Sequence, residues 1–150
     1  MPFERDENDL VEIYYEKGWT DGLPVVPPTR EKIDALLKAG GLSGEDVLGD
    51  VAPNYGEATA EKVAINAVLA GCTPEHMPIV VAGVQAMVDK EFNLHAVGGM
   101  TDSATPLVIV NGPARELGGI NCGNGVFGNG TRGNAVVGRA LMLILSNIGG

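Results

Sequence analysis

Apolar residues recur at helical spacing in two segments of the first third of the chain. Leu10, Ile13 and Tyr14 lie on one face of residues 7–19, and a glycine near the end of this segment is a stop signal. The same spacing recurs over residues 29–40, which begin with a threonine suited to N-cap a helix and end at a glycine. The pattern therefore predicts two amphipathic helices.

Three later segments are predicted to be helices, and two of them, residues 59–71 and 132–147, are almost wholly apolar. Residues 59–71 begin at the capping residue Thr59, and residues 73–90 begin at Thr73, which a proline follows. The third segment, residues 132–147, comes after a glycine-rich stretch. The last of these helices is apolar nearly all round, so we expect it to cross the core.

Strand signals are fewer than helix signals. Residues 92–97 alternate between apolar and polar side chains, and residues 106–112 form a continuous apolar run of the kind buried on both faces of a sheet. Residues 45–58 are expected to form a short strand or an irregular loop, and residues 113–117 a brief helical turn. The pattern predicts a single α/β or α+β domain, in which helices cover a small sheet and a glycine-rich loop precedes a buried C-terminal helix.

The 150-residue chain is acidic, and this narrows the range of partners. It carries nineteen acidic side chains against ten lysines and arginines, a formal net charge of −9, and 45% of its residues are hydrophobic. That hydrophobic share suffices for one core of ordinary size. Because an acidic surface repels polyanions, we expect no nucleic-acid partner.

Neither the apolar runs nor the cysteines indicate a membrane or secreted protein. The longest apolar runs, residues 78–88 and 140–150, are shorter than the roughly 20 residues that span a bilayer. The first residues are polar and acidic and do not resemble a secretory leader. Two cysteines are too few for a disulfide framework, so we expect free thiols in a cytoplasmic protein without a membrane partner.

Residues 118–134 contain seven glycines and four asparagines. Such a segment loses much conformational entropy on folding, so something must hold it in shape. Between an expected strand and a helix, its backbone N–H groups can converge on an anion, which makes Asn121, Gly123 and Asn124 candidate binding residues. The spacing matches neither a P-loop nor a complete dinucleotide-binding motif. The alternative is a loop that packs against neighbouring backbone or another subunit.

Two arginines and one aspartate are further candidates for ligand binding. Arg132 and Arg139 are seven residues apart and therefore share one face of the last helix. Either they bind a carboxylate-bearing ligand or they pair with acidic residues, because a buried unpaired guanidinium is costly. Asp21 lies on a proline-rich arm, residues 20–29. It either reaches a binding site or a partner subunit, or it forms an ordinary Asp-Gly turn.

Catalytic chemistry points to a cysteine and a histidine. Cys122 is the candidate nucleophile or ligand, since its loop offers hydrogen bonds to a sulfur anion, whereas Cys72 is expected to be buried. His95 is the candidate general acid or base, and Asn111 ends the second expected strand, where it can meet the glycine-rich loop. His76 is expected to be exposed near a helix start. No zinc-binding spacing occurs, so no metal site is expected.

Several motifs are distinctive when taken together: DGLPVVPPT, AGCTPEH, NGPARELG and GRALMLILSNIGG. With their flanks they cover most of the chain, and they resemble a family of bacterial proteins associated with the UGSC-type selenoprotein and thiol-protein group. Members of that family usually continue past the final glycines, so the resemblance implies one subunit of a split longer protein. Their loop commonly has serine at the position of Cys122. The cysteine or selenocysteine signature is missing here, so redox chemistry would need a partner.

These features predict an enzyme, or an enzyme subunit, acting on a small carboxylate-bearing metabolite by lyase-like or thiol-dependent chemistry. The glycine-rich loop and an arginine would hold the anion, His95 would move protons and Cys122 would be the nucleophile. The alternative is a structural or regulatory subunit that uses the loop and the proline-rich arm for assembly. Both functions suit a homo- or hetero-oligomer with a second subunit, and the sequence leaves the cofactor open.

Overall fold

A computed structural model describes residues 9–101, 104–128 and 130–150. The helices and strands within these ranges are α1 (Leu10–Glu16), α2 (Arg30–Gly40), β1 (Val47–Val51), β2 (Gly56–Thr59), α3 (Ala60–Ala70), α4 (Met77–Val88), α5 (Leu94–Gly98), α6 (Pro113–Leu117) and α7 (Arg132–Ile144). A 3₁₀ turn, Pro74–His76, precedes α4, and a π turn, Leu145–Gly149, follows α7. The two strands form an antiparallel sheet covered by helices, which confirms the predicted fold class.

Helix α3 lies at the centre of the molecule. It contacts α2, α4 and α7, and its contact with α7 is the most extensive between helices. Most of its side chains are buried and small, which lets the neighbouring helices approach closely. Helix α7 in turn buries Val137, Ala140, Leu141 and Ile144. The segment predicted to cross the core, residues 132–147, therefore does contribute to it.

The ends of α2 and α3 follow from the residues that cap them. The Thr59 side chain accepts a hydrogen bond from the Lys62 N–H at 3.3 Å. Gly71 closes α3 and Gly41 closes α2, both with the left-handed backbone (φ 92° and 66°) that other residues avoid. Both helices end within one residue of the predicted positions.

Helix α7 begins in direct contact with the turn that opens the glycine-rich loop. A Cβ atom at Gly133 would overlap the carbonyl oxygen of Gly118 and lie 2.9 Å from that of Gly119. Only glycine permits two backbone segments to approach this closely. The absence of a side chain at this position therefore fixes how the loop enters the helix.

The strands predicted at residues 92–97 and 106–112 are wrong. Leu94–Gly98 forms α5, preceded by Asn93 with a left-handed φ of 53°. Residues 106–112 pair with no described strand, and the sheet instead comes from residues 45–59. Alternation over six residues is too short to distinguish a strand from a helix, and an apolar run becomes a paired strand only where another strand adjoins it.

Candidate functional site

Two asparagine side chains hold the glycine-rich loop in shape. In α7, the Asn134 side chain accepts from the Asn121 N–H (2.8 Å) and donates to the carbonyl oxygens of Asn121 (3.0 Å) and Val126 (3.2 Å). The Asn121 side chain accepts from the Gly123 N–H (2.9 Å) and donates to the Asn124 carbonyl oxygen (3.0 Å). Because a side-chain amide both donates and accepts, these two residues, the asparagine clamp, satisfy backbone groups on both sides of the loop.

Hydrogen bonds from the asparagine clamp hold the loop, whereas the sequence analysis attributed its order to a bound anion. The N–H groups of Asn121, Gly123, Val126 and Gly128 all donate to acceptors in the loop or in α7. They are occupied, whereas the sequence predicted N–H groups that converge on an anion. The clamp and these turns therefore order part of the loop through hydrogen bonds within the chain.

Cys122 lies within this loop and is exposed. The Arg115 guanidinium donates through Nη1 to Cys122 Sγ at 3.5 Å. The Ile120 N–H donates to the Arg115 carbonyl oxygen (2.9 Å), so the chain turns back after α6 and brings the two side chains together. The other terminal nitrogen of Arg115, Nη2, donates to the adjacent Glu116 at 3.2 Å. A positive charge beside a partly exposed thiol is typical of reactive cysteines.

Arg115 is the residue that the sequence analysis missed. Its signal was present, since it occupies the predicted helical turn at residues 113–117 and a pair of glycines follows that turn. A short helix that ends in glycines commonly reverses direction, which brings residues several positions apart into contact. Their spacing on α7 made Arg132 and Arg139 the predicted anion-binding arginines instead.

Cys122 also lines an apolar groove of about 680 Å³. The other lining residues are Pro106–Val110, Ile120, Asn121, Val126–Gly128, Asn134, Ala135, Val137 and Gly138. The two asparagine side chains are engaged in the asparagine clamp. The Cys122 thiol is therefore the reactive side-chain group among the lining residues, and the Arg115 guanidinium binds its sulfur.

Cys72 has the opposite environment. It is buried, as predicted, and its thiol donates to the carbonyl oxygen of Val136 at 3.5 Å. Burial raises the pKa of the Cys72 thiol to about 12. The thiol therefore stays protonated near neutral pH, and only Cys122 combines exposure with a nearby cation.

We expect one thiol to react in the folded protein and two after unfolding. A chromogenic disulfide reagent should titrate Cys122 rapidly in native buffer and Cys72 only in denaturant, because burial and protonation protect Cys72. In Cys122→Ser the native signal should vanish, whereas in Cys72→Ser it should persist. Rapid reaction of two thiols in the folded wild-type protein would contradict this assignment.

Arg132 lies in a different place from Cys122. Its Nη2 donates to the carbonyl oxygen of Gly71 (2.9 Å), and its side chain lines a separate hollow of about 280 Å³ together with Thr73 and His76. His76 is buried, so its predicted exposure is wrong. Its Nδ1 accepts from the Thr73 N–H at 2.9 Å, and burial lowers its pKa. Arg132 and His76 therefore both hydrogen-bond to backbone groups of residues 71–73, away from Cys122.

Arg139 and Asp21 bind each other. Nε donates to one carboxylate oxygen at 2.9 Å and Nη2 to the other at 2.6 Å. The same guanidinium donates to the carbonyl oxygens of Leu23 (3.1 Å) and Pro24 (2.7 Å), and its hydrogen bond to Asp21 lowers the pKa of that carboxyl. Of the two alternatives for Arg139, the structure shows the ion pair, which fastens the proline-rich arm to α7.

His95 and Asn111 lie outside the groove that Cys122 lines. His95 on α5 hydrogen-bonds to the Tyr55 hydroxyl through Nδ1 (3.2 Å), and the two rings stack at 15° with centroids 5.8 Å apart. Asn111 lines a second groove of about 400 Å³. The structure thus keeps Cys122, Asn121, Gly123 and Asn124 in one loop but does not bring the predicted acid–base histidine to the thiol.

Comparisons with family models, with curated proteins and with solved structures found no match. The resemblance to the UGSC-type group therefore stays a prediction. Among the described residues, no group of three or more histidine, cysteine, aspartate or glutamate side chains is placed to hold a metal ion. None of the described helices has the length and apolar character needed to cross a bilayer.

Proposed function

We propose that this chain is an enzyme, or the ligand-binding subunit of one, that acts on a small carboxylate with an apolar body. The body would lie in the apolar groove, the carboxylate would bind Arg115, and Cys122 would be the nucleophile. The contact of 3.5 Å between Arg115 Nη1 and Cys122 Sγ beside a groove of about 680 Å³ carries this proposal. Ligand sites are commonly mostly apolar with a few polar groups that fix orientation.

The charges of the chain favour Arg115 as the site for the carboxylate. With a net charge of −9, the protein repels anions except where a cation faces them locally. Arg30 and Arg139 already bind carboxylates, Arg30 through Asp34 and Glu61, so they are not available. Among the described residues, Arg115 forms an ion pair with the adjacent Glu116 alone, and such exposed pairs are weak. A ligand carboxylate can therefore compete for it.

The thiol supplies the chemistry in this proposal. No described histidine or carboxylate side chain hydrogen-bonds to Cys122, so the lyase-like mechanism with His95 as proton carrier has no geometric support. A cysteine needs such a base less than serine does, because some thiolate is present at neutral pH and is strongly nucleophilic. The thiol-dependent half of the sequence prediction is therefore the part that we retain.

Two alkylating reagents of nearly the same size test the proposal. Iodoacetate carries a carboxylate and iodoacetamide does not, so a guanidinium at the thiol should accelerate iodoacetate selectively. We expect the ratio of the two rate constants for Cys122 to be about tenfold higher in the folded protein than in the unfolded chain, as expected for roughly 1.4 kcal/mol of charge interaction. Arg115→Gln should abolish the difference, and Arg132→Gln, remote from Cys122, should retain it. An equal ratio in folded and unfolded protein would rule out an anion site here.

A second candidate function, assembly, is favoured by one specific observation. Between two apolar grooves, Leu107, Val108 and Ile109 are exposed, and residues 106–110 make no backbone hydrogen bonds to other described residues. The proline-rich arm of the original assembly hypothesis is instead bound to its own chain through Arg139. The candidate assembly surface is therefore the apolar segment together with the glycine-rich loop.

A further inference from the structure

Residues 105–111 form a stretch of backbone without hydrogen-bond partners among the described residues. They make neither helix nor turn, and their N–H and C=O groups bond to no other described residue. The stretch reads Thr-Pro-Leu-Val-Ile-Val-Asn, and β-branched and aliphatic residues are common in strands. It therefore has the composition and the unpaired backbone of a strand at the edge of a sheet.

The side chains of this stretch are unusually exposed. Leu107 and Ile109 are 69% and 79% exposed, and Val108 between them is 37% exposed. Phe127 and Val126 of the glycine-rich loop line the same groove, and Phe127 is 87% exposed. Together these five residues expose on the order of 500 Å² of apolar area, comparable with the largest patches on monomeric proteins. Patches of that size commonly bind a partner.

The exposure along the stretch also alternates. The strongly exposed Leu107 and Ile109 alternate with the less exposed Pro106, Val108 and Val110. Successive side chains of a strand point to opposite faces, so this pattern fits a strand with one face toward the protein and the other toward solvent. The described sheet, β1 and β2, lies elsewhere in the chain and does not extend to it.

We propose that residues 105–111 pair in antiparallel fashion with the same residues of a second copy of this chain, forming a two-fold symmetric dimer. In the register centred on Val108, Leu107 lies opposite Ile109 of the partner subunit. The two Leu107–Ile109 pairs make the backbone hydrogen bonds, and the two Val108 residues form the non-hydrogen-bonded pair between them. Pro106 has no N–H, and in this register its backbone points away from the seam.

Three properties favour a second copy as the partner. The register is self-complementary, because its central pairs are all between aliphatic side chains. Residues 105–111 carry no charge, so two chains of net charge −9 meet along a neutral seam. Each copy has about 500 Å² of exposed apolar area, so the dimer can bury at most on the order of 1,000 Å² of it, the lower limit for a specific interface. Like-charge repulsion between the remaining surfaces should make the dimer tighter as salt concentration rises.

Disulfide trapping tests the register directly. In this register the two copies of residue 108 have Cα atoms about 4.5 Å apart, within the range that a disulfide spans. Val108→Cys, combined with Cys122→Ser to remove the exposed native thiol, should form a disulfide-linked dimer under mild oxidation. Thr105→Cys in the same background is the matched control, because its two copies would be about 20 Å apart. It should not cross-link.

Sedimentation of the wild-type chain supplies the independent readout. It should be a dimer at micromolar concentration, and Ile109→Asp, which opposes an aspartate to an aliphatic side chain in both central pairs, should weaken the dimer at least about 100-fold. Monomeric wild-type protein, or equal cross-linking of the Val108→Cys and Thr105→Cys variants, would overturn the proposal. The trapping result is independent of the proposed nucleophile, because it is obtained with Cys122 replaced by serine.

Discussion

Gly133→Ala should lower the free energy of unfolding by about 3 kcal/mol, whereas Gly138→Ala in the same helix should raise it by about 0.5–1 kcal/mol. A methyl group at Gly133 would meet two backbone oxygens, those of Gly118 and Gly119, and backbone cannot rotate away as a side chain does. Nothing lies within 4 Å of a methyl group at Gly138, so there the higher helix propensity of alanine decides the sign.

Urea unfolding of the wild-type protein and both variants measures this difference. For a chain of this size, a loss of about 3 kcal/mol corresponds to a fall in Tm of roughly 6–12 °C. Gly138→Ala is the control, because it makes the same chemical change in the same helix. If Gly133→Ala were as stable as Gly138→Ala, the close contact between α7 and the start of the glycine-rich loop would not exist.

Arg139→Ala should lower the free energy of unfolding by about 2–3 kcal/mol, the second large effect that we expect. Its side chain is 18% exposed and donates four hydrogen bonds, two to Asp21 and two to carbonyl oxygens of the proline-rich arm. Asp34→Asn is the control, because the Arg30–Asp34 pair is exposed on both sides. We expect that control to change stability by less than about 0.5–1 kcal/mol.

The contribution of Asp21 should also depend on pH in a defined direction. Its hydrogen bond to Arg139 lowers the pKa of the folded-state carboxyl below the usual value of 3.8. A carboxyl with a depressed folded pKa stabilises the protein above its unfolded pKa, and the stabilisation is lost as pH falls through the folded pKa. The difference in unfolding free energy between wild type and Asp21→Asn should therefore be constant near neutral pH and shrink below about pH 4. A difference that stayed constant in acid would contradict the ion pair.

The helices were predictable because their signals are local. Thr59 and Gly71 bound α3 within a few residues of sequence, and their capping geometry depends on the neighbouring backbone alone. Strands depend on a second segment, which no local pattern identifies. Residues 106–112 have the composition of a buried strand, yet no described strand lies beside them.

The candidate site was predicted only in part for a similar reason. The burial of Cys72 was predicted from the apolar residues before it, whereas the exposure of Cys122 is a finding of the structure. His95 was predicted to lie near Cys122 because residues 92–97 were expected to form a strand. These residues contain a helix instead, and the predicted contact between His95 and Cys122 is wrong. Arg115 reaches the thiol because a turn reverses the chain after α6, and the sequence signal of that turn is the glycine pair after the helix, which the search by helical spacing did not use.

The most direct measurement of the proposed ligand site is an amide chemical-shift titration with a short fatty acid and, in parallel, with its neutral amide. The proposal predicts that the acid shifts resonances of residues 106–110 and 120–122 and the side-chain N–H of Arg115, and that Arg115→Gln removes these shifts. The neutral amide should bind more weakly. Shifts centred on the hollow beside His76 and Arg132, or equal shifts from acid and amide, would contradict a carboxylate site at Cys122.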